Sequence, residues 1–244
     1  MSNTNMSRLL ILATLAVVLC NQMTFAAAEE EGIAVAIVYD TSGSMKESVR
    51  TARGGYEPKY KIANRALESI IQRIQTFATN SSGGTPRKIH SGLFVFSGRG
   101  AKEAVNFGPF DPAALRHWIK TYGGPDSSTP LGAALELASQ TVLKSPLSRK
   151  HVVVVTDGIN TTGPDPAAVM ARIKAEGTRK NTSVAVHFVA FDVNAKIFDP
   201  VKKLGATVVG ATDERQLNTQ LEFIFEKKIL LEDEEPKPAN PKPN

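Results

Sequence analysis

Five oxygen-bearing side chains stand out by their spacing in the sequence. Asp40, Ser42 and Ser44 alternate within DTSGS, Thr129 lies in STPLGAAL, and Asp157 lies in TDG. Carboxylates and hydroxyls are hard ligands that suit Mg²⁺, Mn²⁺ or Ca²⁺ and not a soft metal. Two carboxylates balance the charge of one divalent cation, and an open coordination position can accept an acidic ligand from outside. We therefore expect a metal site, with Mg²⁺ as the first candidate and Mn²⁺ or Ca²⁺ as further ones.

The two aspartates each follow an apolar run that predicts a buried strand. Asp40 comes after Ile33–Tyr39, and Asp157 comes after Val152–Thr156. Continuous runs rich in β-branched residues are typical of parallel strands that are covered on both faces. Since open α/β sheets bind ligands at the carboxyl ends of their strands, we expect both carboxylates at that edge. Gly43 is expected to ease the turn that directs the two serine hydroxyls to one point.

Helical patterns alternate with these apolar runs. Apolar residues recur at helical spacing over Ile62–Phe77, and a capping residue followed by proline starts further predicted helices at Asp111, Thr129 and Asp165. This order predicts an α/β fold with a doubly wound, mostly parallel central sheet flanked by helices, as in Rossmann-like folds. The segment Arg50–Tyr60 is predicted to be a loop, because glycine and proline interrupt it.

The pattern resembles the von Willebrand factor A domain family over roughly residues 32–231. The positions that carry the resemblance are Asp40, Ser42, Ser44, Thr129 and Asp157. In that family these positions form the metal-ion-dependent adhesion site, and all five are filled here. The resemblance implies that the strands before Asp40 and Asp157 are neighbours and that the Thr129 loop covers the crevice between them.

The resemblance also implies a binding module and not an enzyme. Its metal would contact a carboxylate of a protein partner, so we expect an exported, divalent-metal-dependent module for adhesion or envelope assembly. A metal-independent scaffold protein is one alternative, and a metal-dependent hydrolase is another. Phosphatases with an aspartyl nucleophile carry a second acid where Ser42 stands, and no catalytic lysine motif is evident.

Simpler structural roles also fit some of these residues. Thr129, followed by Pro130, could serve only as a helix N-cap. Ser42 and Ser44 could be ordinary turn residues. These alternatives make no use of a metal.

Four residues are candidates for a rim that contacts the partner: Arg50, Arg53, Asp126 and Ser127. Arg50 and Arg53 belong to a basic stretch that includes Lys59 and would steer acidic partners if it borders the metal site. A solvated loop without a partner is the alternative. Asp126 and Ser127 precede Thr129 and could equally be turn residues.

The first 28 residues have the pattern of a secretory signal peptide. Arg8 precedes the 11-residue apolar run Leu9–Leu19, which is too short for a bilayer core of about 30 Å, and an A-x-A site ends at Ala28. We expect cleavage after Ala28 and a secreted or periplasmic protein. Lipidation at Cys20 is an alternative, although a small residue would be expected in place of Leu19.

The rest of the chain is predicted to be one domain, residues 29–231, followed by a disordered segment rich in proline and charge, residues 232–244. The chain has 244 residues, one cysteine and a formal net charge of +5. A single cysteine excludes an internal disulfide and a Cys/His zinc site. The mild charge argues against nucleic acid as a partner, and no membrane span is expected in the mature chain. The sequence does not indicate an oligomeric state.

Overall fold

The computed structural model of this chain describes residues 29–79 and 87–231. Three predictions lie outside the described residues: the signal peptide with its cleavage after Ala28, the lipidation candidate Cys20, and the segment 232–244.

Most strands of the molecule belong to one twisted central sheet. The described residues form the strands β1 (Glu30–Tyr39), β2 (Ser48–Arg50), β3 (Tyr56–Pro58), β4 (Ile89–Ser97), β5 (Gly100–Pro109), β6 (Leu147–Thr156), β7 (Val184–Phe191) and β8 (Thr207–Ala211). Six of them form a sheet in the order β5-β4-β1-β6-β7-β8, in which every neighbouring pair is parallel except β4 and β5. The predicted fold class, a mostly parallel sheet flanked by helices, is confirmed.

Helices connect the strands of this sheet. They are α1 (Lys59–Thr79), α2 (Pro112–Thr121), α3 (Leu131–Leu143), α4 (Pro166–Lys180), α5 (Asp199–Lys203) and α6 (Glu214–Phe223), which continues as a π-helix (Ile224–Leu230). Asp111, Asp165 and Asp213 cap α2, α4 and α6 by accepting a hydrogen bond from the backbone N–H three residues on. Each carboxylate thereby satisfies one of the helix's free N–H groups.

The sheet lies between two apolar layers. In β1, Val35, Ile37 and Tyr39 face the layer that contains α1 and α6. Ala36 and Val38 point to the opposite face, where they pack with α3 and α4. This two-sided burial explains why the strand sequence is apolar throughout and does not alternate. It also fixes the strand ends, from which the site residues project.

Two features differ from the prediction. Part of the predicted loop Arg50–Tyr60 is an antiparallel hairpin, in which β2 pairs with β3, and α1 begins at Lys59. The hairpin buries only Val49 fully, so it leaves no alternating apolar pattern in the sequence. β5 was not predicted, because this edge strand has no fully buried side chain and its pairing with β4 has two register irregularities.

A search of the described helices for membrane-spanning segments found none that is long and apolar enough.

Candidate metal centre

The two aspartates lie at the carboxyl ends of adjacent parallel strands. Asp40 follows β1 and Asp157 follows β6, and these strands pair in parallel with Tyr39 opposite Val155. The Asp40 N–H extends this pairing by donating to the Val155 carbonyl at 3.1 Å. Asp40 is completely buried and Asp157 is 6% exposed. The sheet therefore brings together two carboxylates that are 117 residues apart in the chain.

Both carboxylate oxygens of Asp40 accept hydrogen bonds from the protein. Oδ1 accepts from the Ser42 backbone N–H at 2.7 Å, and Oδ2 accepts from Thr156 Oγ1 at 2.5 Å. Burial raises the pKa of Asp40 to about 6, although these hydrogen bonds act in the opposite direction. A nearby dication would stabilise the charged form of this carboxylate, so the environment of Asp40 suits a cation site.

The two serines and Asp157 form a continuous chain of oxygen atoms. Ser42 Oγ lies 3.0 Å from Ser44 Oγ, and Ser44 Oγ donates to Asp157 Oδ1 at 2.7 Å. Ser42 has an extended backbone, after which a 3₁₀ turn over Gly43–Lys46 turns Ser44 back towards Ser42. Gly43 does not have a positive φ, and a Cβ there would meet open space. The expectation that Gly43 eases this turn is therefore wrong, because another residue could adopt the same backbone there.

Thr129 is buried beside this chain of atoms and does not cap a helix. The N-cap of α3 is Pro130, and no side chain caps it. The Thr129 N–H instead donates to Thr161 Oγ1 at 3.0 Å, and the Thr129 carbonyl accepts from the Thr161 N–H at 2.9 Å. The N-cap alternative for Thr129 is thus excluded. These two bonds to Thr161 fix the Thr129 backbone.

Gly158 shows where the Thr129 side chain lies relative to the serines. A Cβ placed on Gly158 would lie 3.9 Å from both Ser44 Oγ and Thr129 Oγ1. The two hydroxyls therefore border the same small space next to Asp157. This space at the carboxyl edge of the sheet brings together Asp40, Ser42, Ser44, Thr129 and Asp157.

Of the four predicted rim residues, Asp126 and Ser127 lie beside the turn that carries the serines. Their N–H groups both donate to the Thr41 carbonyl at 3.1 Å, and the Gly43 N–H donates to the Ser127 carbonyl at 3.0 Å. The Ser127 hydroxyl is buried and has no hydrogen-bond partner within the described part of the chain. It is thus one more oxygen with free hydrogen-bonding capacity at this edge.

Arg50 and Arg53 are placed differently from Asp126 and Ser127. Both side chains are exposed, and they line a separate cavity between the β2–β3 hairpin and α6. Within residues 29–79 and 87–231, neither guanidinium makes a hydrogen bond or ion pair with the five candidate ligands. The structure therefore divides the predicted rim into two parts.

Lys59 lies at this site, although its sequence context predicts an exposed basic loop. Its side chain is 3% exposed, and its Nζ lies 3.0 Å from a carboxylate oxygen of each of Glu47, Asp157 and Asp192. Burial alone would lower the pKa of Lys59, but the hydrogen bonds with these carboxylates outweigh it and raise the pKa above its ordinary value. The apolar helical pattern at Ile62, when extended back by one turn, would have placed Lys59 on the buried face.

The donors fit a hard cation bound through hydroxyls and carboxylates. Residues 29–79 and 87–231 contain no cluster of three or more His, Cys, Asp or Glu side chains that could hold a metal. A cation at this edge would therefore depend on the hydroxyls of Ser42, Ser44 and Thr129 in addition to carboxylate. Such a donor set suits Mg²⁺ or Mn²⁺ better than a soft metal.

Two of the similar solved structures illustrate the shared fold. The PilB minor pilin from Streptococcus sanguinis is 19% identical with a TM-score of 0.61, over 81% of this chain and 61% of that one. This chain thus spans about three fifths of the PilB chain. The proximal thread matrix protein 1 from the mussel byssus, solved with a zinc-occupied MIDAS (metal-ion-dependent adhesion site) motif, is 18% identical with a TM-score of 0.54, over 82% of this chain and 49% of that one.

Sequence comparisons identify the family. The uncharacterized protein YwmD of Bacillus subtilis (strain 168) is 25% identical over 209 residues, which are 82% of this chain and 85% of YwmD. Residues 34–220 match the family model of the von Willebrand factor type A domain. Because the match covers most of the chain, including every element that carries the candidate ligands, this protein belongs to the von Willebrand factor type A domain family.

Proposed function

We propose that this protein is a binding module that holds a divalent cation and, through it, a carboxylate of a protein partner. The proposed ligands are Asp40, Ser42, Ser44, Thr129 and Asp157, which together would constitute a complete metal-ion-dependent adhesion site. The observation that carries the proposal is the chain of contacts from Ser42 Oγ through Ser44 Oγ to Asp157 Oδ1. Ser44 Oγ is within hydrogen-bond distance of both other oxygens, so the three atoms form a preorganised donor set.

The residues of the site have different roles in this proposal. Ser42, Ser44 and Thr129 supply neutral hydroxyl oxygens. Asp40 holds the Ser42 backbone through Oδ1 and contributes negative charge from beneath the site. A cation bound mainly by neutral ligands keeps most of its charge and attracts an anionic group from a partner. We propose Mg²⁺ as the metal, with Mn²⁺ and Ca²⁺ as further candidates.

The relatives support a role in adhesion or assembly. By their names, one similar structure is a minor pilin and another is a matrix protein of a byssal thread. We propose that this chain is likewise an adhesion or envelope-assembly module. We further propose that it is exported, with residues 1–28 as a signal peptide cleaved after Ala28. One domain would then span residues 29–231.

We propose that the protein is not an enzyme. Ser42 stands where phosphatases with an aspartyl nucleophile carry their general acid, so this turn offers Asp40 no acid partner. Lys59, the one lysine at the described site, already faces three carboxylates and so offers little charge to a phosphate. Both observations argue against the hydrolase alternative.

We propose that the four predicted rim residues act in two different ways. Asp126 and Ser127 would contact the partner next to the metal. Arg50 and Arg53 would act at longer range, by steering an acidic partner towards this edge. Charge reversal at both arginines should slow association with an acidic partner and leave the metal affinity unchanged. Equal association rates would count against the steering role.

Calorimetric titration with Mg²⁺ and Mn²⁺ tests the metal site directly. We expect the wild type to bind one cation, and Asp40→Asn and Ser44→Ala to lose affinity by about tenfold or more. Asp199→Asn is the matched control, because Asp199 is exposed on α5. Zinc belongs in the same series because of the mussel protein. An Asp40→Asn variant that binds Mg²⁺ like the wild type would contradict the proposal.

Partner capture separates the functional alternatives. The tagged protein is incubated with native envelope or culture medium in Mg²⁺ or in EDTA. A partner retained only in Mg²⁺ supports the proposed function, whereas a partner retained equally in EDTA indicates a metal-independent scaffold. Metal-dependent release of phosphate or alcohol from a panel of esters, abolished in Asp40→Asn, would indicate the hydrolase.

A further inference from the structure

A cavity of about 420 Å³ lies between the turn of the β2–β3 hairpin and the first turn of α6. It is separate from the space between Ser44 and Thr129. Its lining residues are Arg50, Thr51, Ala52, Arg53, Gly54, Asp213 and Arg215. Three guanidinium groups from three segments thus surround one cavity: Arg50 on β2, Arg53 in the turn, and Arg215 on α6.

The walls of this cavity are held by hydrogen bonds. The turn is closed by the Thr51 N–H, which donates to the Gly55 carbonyl at 2.8 Å. The Ala52 N–H donates to Glu214 Oε2 at 2.7 Å, and Arg215 Nη2 donates to the Ala52 carbonyl at 2.8 Å. These contacts fix the turn against α6, so the cavity is formed before any ligand binds.

The charges in this cavity are not balanced. Arg50 and Arg53 have no hydrogen-bond or ion-pair partner among residues 29–79 and 87–231, and both are exposed. Asp213 is the one acidic lining residue, and its Oδ1 is engaged in capping α6. Among the residues that line the cavity, three positive charges therefore face one negative charge, and the nearby Glu214 carboxylate, which also attracts Arg53, is already paired with Arg65. Guanidinium groups brought together in this way repel one another and favour an oxyanion, which they bind through paired N–H groups.

We propose that this three-arginine pocket, lined by Arg50, Arg53 and Arg215, binds the carboxylates of an acidic peptide segment. The size of the cavity favours a peptide over a single inorganic ion, because about 300–1,000 Å³ is typical of sites for organic ligands. Several carboxylates on one chain can reach all three arginines. The pocket extends the rim of the proposed function, but it does not depend on the metal.

Fluorescence anisotropy with a labelled tetraglutamate peptide, in low-salt buffer freed of divalent metals by a chelating resin, tests the pocket. We expect the wild type to bind and Arg50→Gln/Arg53→Gln to lose at least about tenfold in affinity. Neither arginine side chain forms a hydrogen bond or ion pair with the described part of the chain, and a thermal melt checks that the variant folds. The control Lys202→Gln/Lys203→Gln removes the same charge from α5 and should stay within about twofold of the wild type.

Three outcomes would overturn the proposal. They are equal binding by the wild type and the arginine variant, an equal loss in the lysine control, and displacement of the peptide by a sulfated oligosaccharide at lower concentration than by unlabelled tetraglutamate. The last result would assign the pocket to sulfate groups. Metal-free buffer in every assay keeps this test apart from the metal site, so that failure of one proposal does not imply failure of the other.

Discussion

Thr129 could serve as a helix N-cap or as a metal ligand. Its sequence context, threonine before proline at a helix start, is equally typical of an N-cap. The structure excludes the cap, since α3 has no side-chain cap and the Thr129 backbone is bound to Thr161. The Thr129 side chain borders the space next to Gly158 instead. Stability and metal affinity should therefore respond differently when the Thr129 hydroxyl is removed.

The substitution Thr129→Val removes the hydroxyl and keeps the shape of the side chain. We expect the free energy of unfolding in EDTA to change by less than about 0.5 kcal/mol, whereas loss of an N-cap would cost about 1 kcal/mol. The Mg²⁺ affinity should fall by about tenfold or more. Urea unfolding and calorimetric titration measure the two quantities. A clear loss of stability with unchanged metal binding would reverse the assignment.

Lys59 contributes charge balance to the same edge of the sheet. Replacement by methionine leaves the buried Asp157 without its cation, and Glu47 and Asp192 also lose a partner. We expect Lys59→Met to lower the free energy of unfolding in EDTA by about 3 kcal/mol, since removing one partner strands a buried charge. Saturating Mg²⁺ should recover more stability in this variant than in the wild type, because a dication supplies the missing charge.

Lys61, which is exposed on the same helix, provides the control. Lys61→Met should change the free energy of unfolding by less than about 0.5 kcal/mol. Urea unfolding of the wild type and both variants, with and without Mg²⁺, gives the six free energies that are compared. If Lys59→Met is as stable as Lys61→Met in EDTA, the three carboxylates do not depend on Lys59.

The sequence was sufficient to predict that Asp40, Ser42 and Ser44 lie together at the end of a strand. It was not sufficient to predict that Lys59 lies beside them. Hydroxyls and carboxylates at strand ends indicate a ligand site by their type alone. A lysine beside glycines and arginines has the composition of an exposed loop. Its burial depends on Asp157 and Asp192, which lie far along the chain and meet it only in the folded sheet. Long-range charge pairing of this kind leaves no local pattern.

At the level of elements, the apolar strands were predictable because each is buried on two faces. β1 and β6 each contain a continuous apolar run, and the two strands are neighbours in the sheet as expected. β5 and the β2–β3 hairpin were not predicted, because their side chains are mostly exposed or half-buried. Their positions are fixed by backbone pairing and by a few polar contacts.

Glu214 is one of those contacts, and it joins the hairpin to α6. It accepts from the Ala52 N–H and pairs with Arg65. We expect Glu214→Gln to lower the free energy of unfolding by about 1 kcal/mol at pH 7, since a neutral acceptor forms weaker hydrogen bonds than a carboxylate. Glu57→Gln, which affects the exposed side of Arg65, should cost less than about 0.5 kcal/mol.

The same substitution has a defined pH dependence. Burial acts to raise the pKa of Glu214, but the bonds from Ala52 and Arg65 hold it below its ordinary value of 4.5. The stability that the charged form contributes is therefore fully present above pH 4.5 and is lost as the pH falls through the folded-state pKa. The difference in the free energy of unfolding between the wild type and Glu214→Gln should become smaller below pH 4.5. A difference that widens in acid would contradict this assignment.

At the level of the whole molecule, the proposed cleavage after Ala28 would determine which chain folds. Intact-mass measurement of the protein recovered from the periplasm or the medium should show that residues 1–28 have been lost. A mass that retains residues 1–28 would contradict cleavage after Ala28, and a mass increased by acyl chains at Cys20 would indicate a lipoprotein. In the folded domain, Glu29 already has a structural partner, because its carboxylate pairs with the buried Lys150 at 2.5 Å.

The two edges of the central sheet determine how copies of this molecule can meet. β5 departs twice from regular register and carries the exposed charges Lys102 and Glu103, while β8 at the opposite edge has only five residues. Irregular, charged or short edge strands oppose the addition of a strand from a neighbouring chain. Fibre growth by strand exchange is therefore disfavoured at both ends of the sheet. The proposed contact with a partner at the carboxyl edge would therefore be made by side chains and not by strand pairing.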